Sequence, residues 1–381
     1  MNRRQSLKLI GGGMILAATA LGGGWATTRN PERALKPWQD AGQTDDPRRF
    51  ALSYAILAPN PHNRQPWLVD FIGNDTITLF ADPDRMLPMT DPFQRQITIG
   101  LGCFLELLRM AAAEAGYGCE TDVFPDGEDP KTIDGKPVAR VKLTADDSVT
   151  EDPLFSEVLT RRSNKEPFDT SRIVSSKALE DIARVTGDGV VSGFTNDPKR
   201  VDRLRRLTHD ALVVEVETPH TFKESVDLFR IGRKEIEANP DGIDFSGPMF
   251  EGLAMAGLFT RESALDPTSS GYAQGKAAVL ENADTAMAHG WIVTKNNNRV
   301  DQLNAGRDWL RMNLVASKLG LGTQPLSQAL QEFQEMAGLY KEVHEMLAPE
   351  GGTVQMLARF GYGKAIPPSP RWPYESRLLK T

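Results

Sequence analysis

Cysteine and histidine are scarce in this 381-residue chain, and the few that occur are not grouped. The two cysteines, Cys103 and Cys119, cannot form a zinc cluster, which needs about four correctly spaced ligands. One disulfide in an oxidising compartment and two buried free thiols both stay open as interpretations. The five histidines are scattered and lack the His-Glu-x-x-His spacing of zinc hydrolases. The sequence therefore gives no support for a metal centre.

Basic runs are also absent. The net charge is −7, the pI is near 5.5, and no stretch gathers the five or six like charges of a phosphate-binding arm. We therefore expect no nucleic-acid partner. The composition, 40% hydrophobic and 25% charged, is typical of a globular protein with one large or two modest cores.

No long hydrophobic run occurs near the N-terminus. The apolar stretch Met14–Leu21 spans eight residues between two glycine triplets, too short for a membrane span of about 20 residues. It follows Asn2–Lys8, NRRQSLK, which resembles a twin-arginine export signal. We predict a signal at 1–26, cleaved after Ala26 or at Ala18–Ala20, with transient contact to a membrane translocase. The expected location is periplasmic or extracytoplasmic, and a disordered basic tail is the alternative.

One internal repeat is present. GCFLELLRMAAAEAGYG, 102–118, aligns without a gap to GRDWLRMNLVASKLGLG, 306–322, and places Gly102 on Gly306. Each copy has a wide apolar helical surface and ends in glycine, which readily adopts the left-handed C-terminal cap. Chance agreement between two amphipathic helices is the alternative to duplication. Each copy follows a strand-like segment, which favours duplication.

The order of the patterns predicts an α+β protein with a mixed or antiparallel central sheet flanked by helices. Helical and strand-like patterns do not alternate regularly, and no glycine-rich dinucleotide fingerprint follows a first strand. The predicted segments are a hairpin at 67–82, a strand at 290–295, and helices at 48–58, 102–115, 153–162, 198–217 and 303–319.

The stretch APNPHNRQPW, 58–67, combines three prolines with three side-chain amides. Proline fixes the backbone, so the amides lie on a stiff loop. Amides both donate and accept hydrogen bonds, which suits the edge of a neutral heterocycle such as the pyrimidine ring of a flavin. A helix-to-strand turn whose amides satisfy backbone groups is the alternative.

Three further stretches carry polar or rigid patterns. LTRRSNKEPFD, 159–169, predicts either a phosphate cradle of arginine, serine and lysine or a solvated basic helix end. GLGTQPLSQ, 320–328, presents backbone N–H groups to a ligand or simply connects two elements. ARFGYGKAIPPSPRWP, 358–373, is a rigid apolar tail that is expected to dock on the protein, where Arg371 needs an anionic partner.

Together these motifs resemble the nitroreductase-like flavoprotein superfamily, in particular its internally duplicated, single-chain Acg-type branch. The resemblance covers residues 45–381 and implies a single-chain pseudo-dimer, monomeric in solution, that binds one FMN. It implies a first half at 47–150 and a second half at 151–381, preceded by a polar linker at 27–46. A lid-like insertion is expected at 238–290.

The resemblance also implies a set of FMN-binding residues. Arg161, Ser163, Lys165 and Arg371 match phosphate and ribityl contacts. Asn60 and Pro61 stand where small hydroxyl residues are commoner in the superfamily, which removes a hydrogen-bond donor from this loop. No side chain is assigned a catalytic role, and His62 is expected to be a polar loop residue. The ring contacts implied are Pro59, Asn60, Pro61, Asn63, Gln65 and Pro325, with the backbone of Ser327 and Gln328 facing flavin N5.

The activity implied is FMN-dependent electron transfer to a small-molecule acceptor, with NAD(P)H, a quinol or a redox protein as the donor. A second interpretation is a flavin-sequestering protein whose lid prevents turnover, since soluble NAD(P)H is not expected outside the cytoplasm. A third is flavin cleavage, which no feature of the sequence selects.

Overall fold

The computed structural model describes residues 29–379, so the predicted signal at 1–26 lies outside the described residues. The helices are α1 Glu32–Asp40, α2 Pro47–Ala55, α3 Arg95–Glu114, α4 Ser176–Ala183, α5 Pro198–Glu217, α6 Pro219–Asp227, α7 Gly232–Ala238, α8 Pro248–Met255, α9 Arg261–Leu265, α10 Ser270–Asp284, α11 Arg299–Lys318 and α12 Ala337–Leu347. The strands are β1 Trp67–Ile72, β2 Thr76–Ala81, β3 Tyr117–Val123, β4 Ala139–Ala145, β5 Val190–Thr195, β6 Phe229–Ile231, β7 Ile243–Phe245, β8 Ala288–Thr294, β9 Gly322–Pro325 and β10 Thr353–Gly361.

The main β structure is divided between two antiparallel sheets. Their strand orders are β1-β2-β4-β3 and β5-β8-β10-β9, so each half of the chain contributes one four-stranded sheet. The hairpin of β1 and β2 pairs Trp67 with Ala81, as its alternating pattern predicts. The predicted α+β class is therefore confirmed. The sequence predicted one central sheet, and the structure has two four-stranded sheets instead.

Helices α3 and α11 contain the two copies of the repeat and pack against each other. A Cβ atom on Gly102 would lie 2.2 Å from the carbonyl oxygen of Leu303, and one on Gly306 would lie 2.0 Å from that of Ile99. Each carbonyl belongs to the residue three positions before the opposite glycine. The two helices thus meet through a reciprocal contact, as two copies of one helix related by a pseudo-twofold axis would, and this supports the predicted duplication.

α3 is also, by length and composition, the one described helix that could cross a membrane. Most of its apolar stretch is buried in the protein, as expected for the core helix of a folded domain.

The predicted helix at 153–162 is wrong. The described chain has one 3-10 turn there, Phe155–Glu157, followed by hydrogen-bonded turns up to Thr160 and no α-helix. Asp152 accepts a hydrogen bond from the backbone N–H of Leu154 at 3.1 Å and forms an ion pair with Arg311 at 2.6 Å. These contacts hold the start of the segment. Just beyond it, the backbone N–H of Asn164 bonds to the carbonyl of Thr323 at 2.7 Å, which joins the chain to β9.

The predicted linker contains helix α1, which packs on the C-terminal tail. Trp38 Nε1 donates to the carbonyl of Ser369 at 2.8 Å, and the backbone N–H of Arg371 donates to the carbonyl of Ala34 at 2.9 Å. Ala34, Pro37 and Trp38 are buried at the spacing of one helical face. The first described helix and the last part of the chain therefore form one unit.

The region predicted as an insertion, 238–290, contains short helices and β7, and it ends within β8. β7 pairs in parallel with β6, a strand that precedes the predicted bounds, so the added segment begins earlier than expected. Its aromatic rings contact one another with centroids 4.7 to 6.2 Å apart, and all four are partly exposed: Phe229, Phe245, Phe250 and Phe259. These aromatic contacts help to hold so small a unit together. The segment from β6 to α10 is therefore a compact addition to the second half.

Candidate functional site

The loop that connects α2 to β1 has an unusual backbone. His62, Asn63 and Gln65 have φ angles of 45°, 51° and 52°, in the left-handed region that residues other than glycine rarely adopt. Each such conformation costs roughly 1–3 kcal/mol and persists only where its surroundings impose it. The surroundings here are the C-terminal tail and the insertion.

Asn63 and Gln65 join the loop to these distant segments. Asn63 Nδ2 donates to the carbonyl of Pro370 at 2.9 Å, and its Oδ1 accepts from the guanidinium of Arg371. Gln65 is fully buried: its Nε2 donates to the carbonyl of Pro240 at 2.7 Å and its Oε1 accepts from the N–H of Trp372 at 2.9 Å. The loop is thus fixed by residues more than 170 positions away.

The structure shows which groups the amides of this loop bond to, and their contacts to a flavin ring stay a prediction. Asn60 accepts from the backbone N–H of Gln65 at 2.7 Å and donates to the carbonyl of Ala58 at 3.0 Å, so its side chain closes the loop. Both amide atoms of Gln65 bond to the chain. The structural alternative, in which the amides satisfy backbone groups, therefore applies to Asn60 and Gln65. Pro59 is buried in the same loop, and Pro61 begins its 3-10 turn.

Arg161 and Arg371 meet behind this loop. Arg161 Nη2 donates to the carbonyl of Leu57 at 3.3 Å, and Arg371 Nη2 donates to the same oxygen at 3.2 Å. Both residues are 3% exposed. Arg162 follows directly and is half-buried. We call Arg161, Arg162 and Arg371 the basic cluster.

The basic cluster has no direct ion pair within the described chain, although the Asp244 carboxylate partly offsets the charge of Arg371. Among residues 29–379, no carboxylate oxygen lies within 4 Å of its guanidinium groups. Burial, together with the neighbouring arginines, lowers the pKa of Arg161 to about 10 and that of Arg371 to about 9. Arg161 Nη1, Arg162 Nε and Arg371 Nε are buried without an acceptor. Buried, unpaired donors on like charges are costly, so this arrangement favours binding of an anion.

Lys165 and an aspartate of the insertion border the cluster. The charge of Lys165 contributes to a lowered pKa of His62, about 4, whose main cause is burial. Burial raises the pKa of Asp244, against the opposing effect of Lys165 and Arg371. The segment 161–165 thus lies beside the loop and the tail, as predicted. Ser163 is half-buried within it, and Lys165 is exposed.

Trp38 of helix α1 also contacts the basic cluster, which the sequence analysis did not predict. The guanidinium carbon of Arg162 lies 4.9 Å from the centre of its indole ring, and that of Arg371 lies 5.4 Å away. Apolar residues 34, 37 and 38 share one helical face, a pattern that would have revealed α1 despite the internal Pro37. Asp244, by contrast, carries no sequence signal.

The third predicted group, Pro325, Ser327 and Gln328, lies at the end of β9. Ser327 Oγ is 3.9 Å from the sulfur of Met356, and Gln328 Oε1 is buried without a partner. The described contacts do not join these residues to the basic cluster. The structure therefore brings together the predicted loop, the arginines and the tail, and it leaves the role of 325–328 as a prediction.

Glu215 of α5 lies next to Gln328. Gln331 Nε2 donates to Glu215 Oε2 at 2.8 Å, and the glutamate is 6% exposed. Burial raises the pKa of Glu215 to about 7, the Glu224 carboxylate adds to the rise, and hydrogen bonds from Gln331 and Gln328 oppose it. The carboxyl group therefore holds a proton in the folded state at pH values where the unfolded chain has lost it.

This difference predicts a pH-dependent stability. The folded pKa of Glu215 lies above its ordinary value, so the protonated carboxyl group stabilises the folded state. This stabilisation is fully present below about pH 4.5 and is lost as the pH rises to about 7. Between pH 5 and 8 the free energy of unfolding should fall by up to about 3 kcal/mol more in the wild type than in Glu215→Gln. Urea unfolding at several pH values measures this. Glu217→Gln, an exposed change on the same helix, is the control, and parallel profiles for wild type and Glu215→Gln would contradict the prediction.

No protein-family model matches the chain. Rv3131 of Mycobacterium tuberculosis strain H37Rv, which carries the name of a provisional NAD(P)H nitroreductase, is 25% identical over 350 residues, 86% of this chain and 92% of that protein. Acg of the same organism, named in the same way, is 35% identical over 132 residues, 34% of this chain and 38% of its own length. The chain is a relative of nitroreductase-like proteins. The predicted superfamily resemblance is confirmed, and Acg-type similarity extends over about a third of the chain.

Solved structures of nitroreductases also align with this chain. A crystal structure of a nitroreductase with bound FMN from Desulfitobacterium hafniense covers 61% of this chain and 100% of its own, with 11% sequence identity and a TM-score of 0.36.

Proposed function

We propose that this protein is an FMN-dependent oxidoreductase of the nitroreductase-like superfamily that transfers electrons through flavin N5 to a small acceptor. The observation that carries the proposal is the basic cluster, with three buried guanidinium N–H groups that lack acceptors and no carboxylate within 4 Å among the residues that the structure describes. A phosphate monoester supplies the negative charge and the several acceptor oxygens that such a cluster needs. The relatives Rv3131 and Acg, by their names, support redox chemistry.

The residues present fit the FMN tail. Arg161 and Arg371 would donate to the phosphate, and Lys165 lies close enough to add a third positive charge. The left-handed loop residues hold Asn63 beside Arg371, so the loop and the phosphate site are fixed together. The flavin ring, when bound, supplies hydride transfer, and the backbone of Ser327 and Gln328 is proposed to stabilise the charge that develops there.

Contacts between the predicted insertion and the loop favour a second candidate, a flavin-sequestering protein in which the insertion acts as a lid. Asp241 of the insertion forms ion pairs with Arg85 at 2.6 Å and Arg230 at 2.8 Å, and lies 3.7 Å from Arg64. Its neighbour Gly242 donates from its backbone N–H to the carbonyl of Asn63 at 3.3 Å. The insertion is therefore bonded directly to the loop, and a ligand held there would be shielded from large reactants.

One anaerobic experiment separates the two candidates. The purified protein is loaded with FMN, and the flavin absorbance is followed after addition of NADPH, of a soluble quinol, or of dithionite. Bleaching by NADPH or the quinol, followed by reoxidation when a nitroaromatic or quinone acceptor is added, is the expected result for the oxidoreductase. Bleaching by dithionite alone supports sequestration, and a protein that binds no FMN excludes both.

The donor, the acceptor and the compartment belong to the proposal as well. A soluble, monomeric protein that loads FMN before twin-arginine export would meet a quinol or a redox protein more readily than NADPH. The signal at 1–26 lies outside the described residues, so export stays a prediction from the sequence.

A further inference from the structure

Trp38 lies on the one helix of the site that neither the sequence patterns nor the superfamily resemblance indicated. Its ring is in contact with two guanidinium groups from distant parts of the chain, Arg162 at 4.9 Å and Arg371 at 5.4 Å. Trp38 is itself 7% exposed. The indole ring is thus shared by two cations that form no direct ion pair with a carboxylate among the described residues.

The electrostatics explain why the ring matters. Burial lowers the pKa of Arg371, repulsion from Arg161 and Arg162 lowers it further, and the Asp244 carboxylate opposes only part of this. The face of an indole ring carries negative potential and attracts a guanidinium placed over it, most strongly when water is excluded. Trp38 therefore offsets part of the repulsion and allows two like charges to stay close together without an anion.

Helix α1, which carries the ring, is held in place by three hydrogen bonds. Trp38 Nε1 donates to the carbonyl of Ser369 at 2.8 Å, which fixes the orientation of the ring. The carbonyl of Ala34, on the same helix, accepts from the backbone N–H of Arg371 at 2.9 Å. Arg33 Nη2 donates to the carbonyl of Glu237 on α7 at 2.9 Å. Helix α1 is thus bonded to the tail and to the insertion.

We propose that Trp38 is a positioning residue for phosphate recognition, which holds the Arg162 and Arg371 guanidinium groups together so that both donate to one phosphate monoester. The inference rests on the proposed function and deepens it. It assigns Arg162 to the phosphate site, and it makes α1 a part of that site.

The test compares FMN with riboflavin, which differ only in the phosphate. Trp38→Leu should lower the preference for FMN over riboflavin by about tenfold, while the affinity for riboflavin changes little. Trp38→Phe, which keeps an aromatic face, should restore most of the preference. Fluorescence titration of the full chain with each flavin measures both affinities. A variant with general damage would lose affinity for both flavins alike. The ratio of the FMN affinity to the riboflavin affinity therefore reports on the phosphate contact alone.

Trp291→Leu is the matched control. Trp291 is also a buried tryptophan with an arginine over its ring, Arg200 at 5.4 Å, but it lies on β8 in the core of the second half. Its loss should lower stability and leave the ratio of the two flavin affinities unchanged.

A second probe distinguishes failure of this inference from failure of the proposed function. Inorganic phosphate should raise the melting temperature of the wild type, and this increase should be lost in Trp38→Leu. An unchanged FMN preference in Trp38→Leu overturns the inference and leaves the function standing. A wild type that responds to phosphate but binds no flavin overturns the function instead, and one that responds to neither overturns both.

Discussion

Gly102→Ala and Gly306→Ala are each expected to lower the free energy of unfolding by about 3 kcal/mol. The added methyl group would lie about 2 Å from a backbone carbonyl oxygen of the opposite helix, 2.2 Å in one case and 2.0 Å in the other. Backbone atoms cannot move aside as the end of a flexible side chain can. The helices α3 and α11 must therefore separate, which opens the interface between the two halves. Urea unfolding of each variant measures the loss.

Gly275→Ala is the control for this prediction. Gly275 is an exposed glycine in α10, and a Cβ atom there would meet nothing within 4 Å. Alanine is the better helix former, so this change should raise stability by up to about 1 kcal/mol. If Gly102→Ala and Gly306→Ala gained stability as Gly275→Ala is expected to, that result would contradict the close contact between α3 and α11.

The double variant Arg161→Met, Arg371→Met is expected to lose FMN. Each arginine would supply a charge-assisted contact to phosphate worth roughly 1.5–3 kcal/mol, so together their loss should weaken binding by about 100-fold or more. Methionine keeps an unbranched apolar stem of similar length, which preserves much of the packing. Equilibrium dialysis of the reconstituted protein against FMN measures the change.

The free energy of unfolding of the same double variant, measured without a ligand, should fall by less than the lost hydrogen bonds alone predict. Removal of two buried cations that repel each other offsets part of the cost of the lost bonds to Asn63 and to the carbonyl of Leu57. Arg203→Met, at a mostly exposed arginine, is the control and should leave FMN binding unchanged. Full retention of FMN by the double variant would place the phosphate elsewhere.

Much of the fold could be predicted from the sequence because its signals are local. The hairpin at 67–82, the long helix at 198–217 and the paired repeat helices depend on periodicity and on glycine at helix ends. The helix predicted at 153–162 failed for a tertiary reason. Ion pairs of Asp152 hold the start of that segment, and a backbone bond from Asn164 to Thr323 holds the chain just beyond it, so only short turns form between them, which no local pattern reveals.

The residue types of the candidate site could be predicted from the sequence. The hydrogen-bond partners of those residues could be predicted less well. Adjacent arginines before a serine and a lysine suggested anion binding, and the tail arginine joined them as expected. The partners of the loop amides were not predictable, since Asn63 bonds to Pro370 and Gln65 bonds to Pro240, far along the chain. A side-chain amide suits a ligand and a backbone carbonyl equally well, and only the folded chain decides between them.

The reciprocal contact between α3 and α11 bears on how the two halves could diverge. In a homodimer, one altered codon changes both sides of a symmetric interface, so every unfavourable contact is made twice. In a single polypeptide each side mutates alone, and the opposite glycine is left intact. Covalent linkage therefore relaxes the selection on each half, and it allows one half to specialise in holding an anion while the other serves as its scaffold.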